Sequence, residues 1–161
     1  MKALAAQKTA LTGNYAVAYA VKMAKPHVIA AYPITPQTSI VEKLSEFVER
    51  GELNARFVNV ESEFAAMSVV YGAAMAGARS FTATSSHGLL YMYEATWWTA
   101  LSRAPVVMTV VTRTIGPPWN IHVEHNDILV LRDTGWLIAM AETVQEVLDL
   151  TIQAFRIAET A

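Results

Sequence analysis

Several side chains that could hold a small anion and exchange a proton follow short apolar runs in this sequence. Thr35 follows one such run, Glu61 and Glu63 follow the next, and His87 and Arg113 follow two more. A guanidinium binds carboxylates through charge-assisted hydrogen bonds, and a carboxyl group or an imidazole can exchange a proton with a heterocycle. If these side chains converge, they could form a site for a small anion beside a heterocyclic ring.

Each of these side chains also has a structural interpretation. Thr35 has the propensity of a helix N-cap, and a glutamate such as Glu63 in a first helical turn complements the helix dipole. Ser85 and Ser86 would cap the next helix rather than act as nucleophiles. Arg113 is harder to explain in this way, because burying a guanidinium at the end of an apolar strand without an anionic partner is costly.

The elements that must position these side chains are short β-branched runs in alternation with longer helical patterns. The predicted strands are 28–32, 56–60, 80–84 and 106–112, with a weaker fifth at 136–140. The predicted helices are 14–24, 36–49, 63–76, 89–101 and 144–159. For the helix at 36–49, Thr35 is the predicted N-cap, Pro36 lies in the first turn and Gly51 follows the end.

This alternation predicts an α/β fold: a doubly wound parallel sheet with helices on both faces and right-handed crossovers. The 161 residues suit a single domain. Ligands of open α/β sheets bind beyond the carboxyl ends of the strands, which is where the candidate side chains lie. We therefore expect the candidates to gather along one rim of the sheet.

The composition excludes several classes of function. A net charge of −2 without a basic run gives no footprint for nucleic acid. No uncharged run reaches the ~20 residues that cross a bilayer, and residues 1–12 lack the features of a secretory signal. The cytoplasm is therefore the expected location. The absence of cysteine excludes disulfides, thiolate metal sites and any iron–sulfur cluster held by this chain.

Two further features of the sequence bear on partners and metals. Hydrophobic residues make up 53% and charged residues 16% of the chain, which predicts buried parallel strands and surface that a partner covers. His122, Glu124, His125 and Asp127 resemble a metal cluster by residue type. Their spacing fits no helix-borne zinc motif, so we interpret them as a solvated loop or an interdomain contact and predict no metal site.

The rim segments, taken in order, resemble a known family. The chain is similar to the N-terminal, pyrimidine-binding domain of the α subunit of pyruvate:ferredoxin oxidoreductase, in the 2-oxoacid:ferredoxin oxidoreductase family. The likeness runs from Gly13-Asn14 to the final helix. The segments that carry it are Ala31-Tyr32-Pro33-Ile34-Thr35-Pro36, Glu61-Ser62-Glu63, Thr84-Ser85-Ser86-His87-Gly88-Leu89-Leu90, Gly116-Pro117-Pro118-Trp119 and Arg132-Asp133-Thr134-Gly135-Trp136.

The resemblance implies roles for four of the candidates. Glu63 matches the glutamate that hydrogen-bonds the N1′ nitrogen of the aminopyrimidine of thiamine diphosphate and stabilises the tautomer that takes the thiazolium C2 proton. Thr35 matches the threonine that contacts the 2-oxoacid, and Arg113 the arginine that holds the substrate's carboxylate. His87 stands at a position of contact with cofactor or substrate, where the family pattern usually has glutamine; histidine could still donate one hydrogen bond.

Two sequence features that are absent from the chain indicate that it works with partner domains or subunits. The sequence contains no Gly-Asp-Gly, the segment that holds the pyrophosphate and Mg²⁺ in thiamine-diphosphate enzymes, and no cysteine for iron–sulfur clusters. The resemblance places Mg²⁺ and the clusters on partner domains or subunits, and expects a longer α subunit or a split gene. The implied activity is oxidative decarboxylation of a 2-oxoacid, with pyruvate preferred, to an acyl-CoA, with electrons passed to ferredoxin. We expect the isolated chain to be inactive.

Two alternatives remain open at this point. One is a domain of a non-oxidative thiamine-diphosphate enzyme, such as a decarboxylase or a relative of transketolase. The other is a non-catalytic scaffold domain that keeps the fold and only stabilises a partner. Neither the 2-oxoacid nor the oligomeric state follows from the sequence, because selectivity for chain length depends on a pocket that partner residues help to form.

Overall fold

The computed structural model describes residues 8–160, so residues 1–7, which belong to the stretch predicted not to be a secretory signal, lie outside the described part. Four strands alternate with six α-helices and one 3₁₀ helix in that part. The elements are α1 (Gly13–Ala24), β1 (Val28–Ala31), α2 (Thr38–Glu49), β2 (Arg56–Asn59), α3 (Glu63–Met75), β3 (Ser80–Thr84), α4 (Ser86–Tyr91), α5 (Tyr93–Leu101), β4 (Val106–Val110), the 3₁₀ helix (Ile128–Leu131) and α6 (Val144–Ala158).

The four strands form one parallel sheet in the order β2-β1-β3-β4. Every residue of β3, near the centre, is buried, as expected for a strand covered on both faces. Ser80, at its start, satisfies its hydroxyl by donating to the Val70 carbonyl oxygen at 3.0 Å. The predicted parallel α/β sheet is confirmed, and the four main strands lie within two residues of their predicted ends.

Two apolar clusters cover the two faces of the sheet. Ile29 of β1 packs into one cluster and Ala30 into the other, because successive side chains of a strand point to opposite faces. The first cluster joins the sheet to α1, α2 and α6, and the second joins it to α3, α4 and α5. The prediction of a doubly wound sheet with helices on both faces is therefore confirmed.

The start of α2 differs from the prediction. The helix begins at Thr38, so Thr35 is not its N-cap and Pro36 is not in its first turn. Gln37 is fully buried, and its side-chain amide donates to the Ala83 carbonyl oxygen in β3 at 2.6 Å. This bond draws residues 35–37 into a separate turn, which the Gln37 N–H closes by donating to the Ile34 carbonyl oxygen at 2.8 Å. Gly51, with φ +69°, does follow the end of the helix as predicted.

The predicted helix at 89–101 is two helices, α4 and α5, which begin at residue 86 and are separated at Met92. Met92 is fully buried and has ψ near 4°, outside the α-helical range, so the backbone unwinds locally there. Hydrogen bonds from the Met92 N–H to the Gly88 carbonyl oxygen and from the Thr96 N–H to the Met92 carbonyl oxygen span the break.

The prediction of a weak fifth strand at 136–140 is wrong, because this segment forms no strand. Trp136 instead donates its indole N–H to the Thr96 carbonyl oxygen in α5 at 2.9 Å, which holds the segment against a helix rather than against β4. A cavity of about 590 Å³ lies between β4, α6 and residues 135–139. Among residues 8–160, no helix is both long and apolar enough to cross a membrane, and no three possible ligands come together as a metal site.

Candidate functional site

The four predicted site residues all follow the carboxyl end of a strand. Thr35 follows β1, Glu63 follows β2, His87 follows β3 and Arg113 follows β4. Because all pairings are parallel, these ends meet at one edge of the sheet, so the rim predicted from the sequence exists. Within this rim the structure places Glu63 beside the turn after β3, and Arg113 beside His87.

Glu63 lies in the first turn of α3, and the site is built on the cap of that helix. The Ser62 hydroxyl accepts the Ala65 N–H at 3.1 Å, which fixes the start of the helix. Glu63 is 8% exposed, whereas Glu61, two residues earlier, is exposed. None of the hydrogen bonds among residues 8–160 reaches the Glu63 carboxylate. A side chain that only complemented the helix dipole would sit in solvent, so burial without a protein donor favours a ligand as its partner.

Gly88, in α4, packs directly against this carboxylate. A Cβ atom at position 88 would lie 2.7 Å from both Cγ and Oε1 of Glu63 and closer still to Oγ1 of Thr84, so only glycine fits. The hydroxyls of Thr84 and Ser85 are buried and have no hydrogen-bond partner within the described residues. The carboxylate and the hydroxyls are polar atoms without partners among residues 8–160, which suits a ligand that carries nitrogen donors. The glycine was missed in the sequence, because nothing local marks its approach to Glu63.

Arg113 and His87 form the second pair of the site. Arg113 Nη2 lies 3.5 Å from Nδ1 of His87, and the His87 ring packs on the ring of Trp119 with centroids 5.1 Å apart. The Nε atom of Arg113 is buried without a hydrogen-bond partner in the described part of the chain. None of the ion pairs formed there involves Arg113. A guanidinium that no protein carboxylate neutralises is suited to bind an anionic ligand.

Thr35 is exposed in the turn between β1 and α2. The turn is held from two sides: Gln37 binds the end of β3, and the Asn14 side chain donates to the Pro36 carbonyl oxygen at 2.7 Å. These bonds attach the turn to the rim. They do not connect the Thr35 hydroxyl itself to Glu63 or Arg113, so its role stays a prediction.

The interpretation of residues 122–127 as a solvated loop is correct for His122 and His125, which are exposed, and wrong for Asp127. Asp127 is fully buried. Its Oδ2 accepts the N–H of Ser86 at 3.0 Å and that of Arg113 at 3.1 Å, and its Oδ1 accepts the N–H of Ile128 at 2.8 Å. Residue type and spacing gave no signal for the bonds to Ser86 and Arg113, because these two partners are backbone groups distant in sequence, whereas Ile128 is the next residue.

The predicted capping role of the two serines is also wrong. Ser85 occupies the N-cap position of α4, but its side chain makes no capping bond. Ser86 has φ +40°, in the left-handed region, and its hydroxyl donates to the Thr114 carbonyl oxygen at 2.7 Å. The Ser86 hydroxyl thus binds the segment that follows β4, whereas the buried hydroxyl of Ser85 has no partner within the described residues.

Comparisons with known proteins bear on this rim. A family model described as pyruvate flavodoxin/ferredoxin oxidoreductase, thiamine diphosphate-binding, matches residues 19–161. Ketoisovalerate oxidoreductase subunit VorA of Pyrococcus abyssi is 50% identical over 153 residues, which cover 95% of this chain and 39% of that protein. Pyruvate synthase subunit PorA of Methanosarcina barkeri is 51% identical over 148 residues, which cover 91% and 37% of the two chains.

A solved structure is also similar. It is 2-oxoglutarate:ferredoxin oxidoreductase from Magnetococcus marinus with 2-oxoglutarate, coenzyme A and succinyl-CoA bound, and it aligns with a TM-score of 0.82 and 25% sequence identity. The alignment covers 92% of this chain and 27% of that one. The chain thus spans about two fifths of the length of the curated relatives and a smaller share of the structural one.

Proposed function

Because this chain belongs to the thiamine-diphosphate-binding family of pyruvate flavodoxin/ferredoxin oxidoreductases, we propose that it forms the pyrimidine-binding half of a thiamine-diphosphate site. The activity we propose is oxidative decarboxylation of a 2-oxoacid to an acyl-CoA, with electrons passed to ferredoxin. Pyruvate is the substrate we propose to test first. Relatives named for ketoisovalerate and for pyruvate are about equally similar to this chain, so 2-oxoisovalerate is its direct competitor.

The observation that carries the proposal is the largely buried side chain of Glu63, whose carboxylate lies against Gly88. The carboxylate has no donor within the described residues, and the Thr84 hydroxyl beside it and the buried hydroxyl of Ser85 are unpartnered there. This donor and acceptor set fits an aminopyrimidine. Thiamine diphosphate, when bound, supplies the electron sink for loss of CO₂. Glu63 would accept the hydrogen bond of a ring N–H and share its proton, which a carboxyl group removed from bulk water can do.

Arg113, Thr35 and His87 would act on the substrate. The guanidinium of Arg113 would hold the carboxylate of the 2-oxoacid through charge-assisted hydrogen bonds. The exposed hydroxyl of Thr35 would donate to the ketone or carboxylate oxygen. His87, held between Arg113 and Trp119, would donate one hydrogen bond to cofactor or substrate from the ring nitrogen that does not face Arg113.

Partners supply what this chain lacks. The chain has no Gly-Asp-Gly and no cysteine, so the pyrophosphate, Mg²⁺ and iron–sulfur clusters belong to other domains or subunits in this proposal. Ferredoxin and coenzyme A are the remaining partners. A cytoplasmic location is part of the same proposal.

The test is Glu63→Gln in the complete complex, with Glu61→Gln as its matched control. Glutamine keeps the size of the side chain but cannot share the proton, so we expect 2-oxoacid-dependent ferredoxin reduction to fall by about 100-fold or more. The exposed Glu61 should tolerate the same change. Assembly, measured by size-exclusion chromatography, should be unchanged in both variants.

Three results would contradict parts of the proposal. Near-normal turnover of the Glu63→Gln complex would remove the cofactor role. Release of CO₂ from the 2-oxoacid without ferredoxin reduction would indicate a non-oxidative enzyme. Full activity of a complex that carries Thr35→Ala, Glu63→Gln and Arg113→Ala together would indicate a scaffold domain.

A further inference from the structure

Asp127 is the most completely buried acidic side chain of the rim. Burying a carboxylate is costly unless its oxygens are hydrogen-bonded. Asp127 meets this condition with three backbone N–H groups from three segments: the turn after β3, the segment after β4 that contains Arg113, and the start of the 3₁₀ helix. No cationic side chain takes part in these bonds.

A single oxygen of Asp127 joins the two turns that carry the second pair of the site. Oδ2 accepts the N–H of Ser86 at 3.0 Å and the N–H of Arg113 at 3.1 Å. Ser86 directly precedes His87 in the chain. The backbones that bear the imidazole and the guanidinium are therefore both anchored on one atom, and their side chains meet with 3.5 Å between Nδ1 and Nη2.

A second set of hydrogen bonds runs alongside the first. The Ser86 hydroxyl donates to the Thr114 carbonyl oxygen at 2.7 Å. The Thr114 hydroxyl in turn donates to the Asn120 carbonyl oxygen at 3.0 Å and accepts the Asn120 N–H at 3.2 Å. These bonds close the loop that carries Trp119 over His87.

The backbone of Ser86 would not keep its position without such bonds. Its φ of +40° lies in the left-handed region, which residues with a Cβ atom avoid. A strained residue persists where its surroundings fix it, and the Asp127 carboxylate and the Thr114 carbonyl are the two groups that bind Ser86 here.

We propose that Asp127 is a positioning residue that sets the separation of Arg113 and His87 and thereby the affinity of the site for the substrate's carboxylate. This inference rests on the proposed role of Arg113. Asp127 itself touches no substrate, and it acts only through the two backbone turns that it joins.

The test compares Asp127→Ala, Asp127→Asn and Arg113→Ala in the complete complex, with Asp149→Ala, an exposed acid of α6, as the matched control. Two readouts are measured. One is the change in KM for the 2-oxoacid, compared with the change in KM for coenzyme A. The other is the Kd of oxamate, which has the carboxylate of pyruvate but no reactive ketone, by titration calorimetry.

We expect Asp127→Ala to raise the KM for the 2-oxoacid and the Kd of oxamate by about 10- to 100-fold, because loss of one well-placed charge-assisted hydrogen bond to a carboxylate has an effect of this size. KM for coenzyme A should not change. Asp127→Asn should restore part of the loss, because its amide oxygen can still accept the N–H groups of Ser86 and Arg113, whereas its NH₂ cannot accept the N–H of Ile128. A role in stability alone would lower the active fraction and leave both constants unchanged.

The failures of the two proposals are distinguishable. If Arg113→Ala leaves KM and oxamate binding unchanged, the proposed substrate role fails. If Arg113→Ala weakens binding and Asp127→Ala does not, only the positioning role fails. If the Asp127→Ala complex does not assemble, Asp127→Glu decides, because it keeps a carboxylate but moves its oxygens by one methylene away from the N–H groups of Ser86 and Arg113. Unchanged oxamate binding in Asp127→Glu would then overturn the inference.

Discussion

Gly88 and Glu63 illustrate how the role of a residue at this rim depends on what lies opposite it. Gly88 has no unusual backbone conformation, and its lack of a side chain is required only because the Glu63 carboxylate and the Thr84 hydroxyl occupy the space of a Cβ atom. The space open to the Glu63 carboxylate is thus limited by the neighbouring strand–helix turn as well as by its own helix.

At this scale we predict that Gly88→Ala displaces the Glu63 side chain and lowers turnover of the complete complex by about 100-fold, the effect of a misplacement of about 1 Å. The control is Gly72→Ala in α3, where a Cβ atom would meet nothing within 4 Å. That variant should keep its turnover and gain about 0.5–1 kcal/mol of stability from the better helix former. Wild-type turnover of Gly88→Ala, measured as ferredoxin reduction, would show that the contact does not matter.

Among the elements, α1, β3 and α6 are joined at the edge of the sheet opposite to the site. Arg79, just before β3, binds Glu159 after α6 through two hydrogen bonds, of which Nη2–Oε2 is 2.7 Å long, and also donates to the Ala24 carbonyl oxygen at the end of α1. The side chains are about one third exposed. The Arg79 guanidinium lowers the pKa of the Glu159 carboxyl, and the carboxylate raises the pKa of Arg79.

We predict a pH-dependent loss of stability for Glu159→Gln. Because the pKa of Glu159 is lowered in the folded state, its contribution is fully present above the ordinary carboxyl pKa and is lost as the pH falls through the lowered value. At pH 7 the variant should lose about 0.5 kcal/mol of unfolding free energy, a value reduced by solvent screening of a partly exposed pair. Urea unfolding at pH 7 and pH 3 checks this, with Glu142→Gln as control. A difference that persists unchanged at pH 3 would exclude the ion pair as the cause.

For the whole molecule, the apolar composition is visible on the surface. Three large apolar side chains that line the cavity beside β4 are exposed, namely Leu137, Ile138 and Ile157. Leu101 and Met140 are also exposed. Trp119, Ile121, Val123 and Leu129, in and after the loop over the site, are exposed as well. β4 is also an edge strand. Exposed apolar groups next to an open strand edge favour association, in agreement with the expectation that partner surfaces cover parts of this domain.

We therefore predict that the isolated chain, supplied with thiamine diphosphate, Mg²⁺, a 2-oxoacid and coenzyme A, reduces no ferredoxin. Activity should arise when the partner chains that contain Gly-Asp-Gly and the iron–sulfur clusters are added, since this chain has no Gly-Asp-Gly and no cysteine. The measurement is ferredoxin reduction by this chain alone, by the partner chains alone and by all of them together. Turnover by this chain alone would show that the missing half of the site is not needed, and equal turnover by the partner chains alone would remove this chain from the reaction.

The sequence by itself determined the parallel α/β class, the positions of the four strands to within two residues, and the rim on which Thr35, Glu63, His87 and Arg113 lie. These features follow from local apolar periodicity and from the rule that parallel strands end at one edge. Both depend on neighbours along the chain, which a sequence displays directly.

Only the tertiary structure decided where α2 begins, that residues 136–140 form no strand, and that Asp127 is buried. Each depends on a bond between distant residues: Gln37 and Ala83 are 46 positions apart, Trp136 and Thr96 are 40, and Asp127 and Ser86 are 41. In each bond a polar side chain binds a backbone N–H or carbonyl, and almost every residue has these backbone groups. The type of the partner residue therefore does not reveal the bond. Close approaches such as that of Gly88 to Glu63 are likewise fixed by packing, which only the folded chain defines.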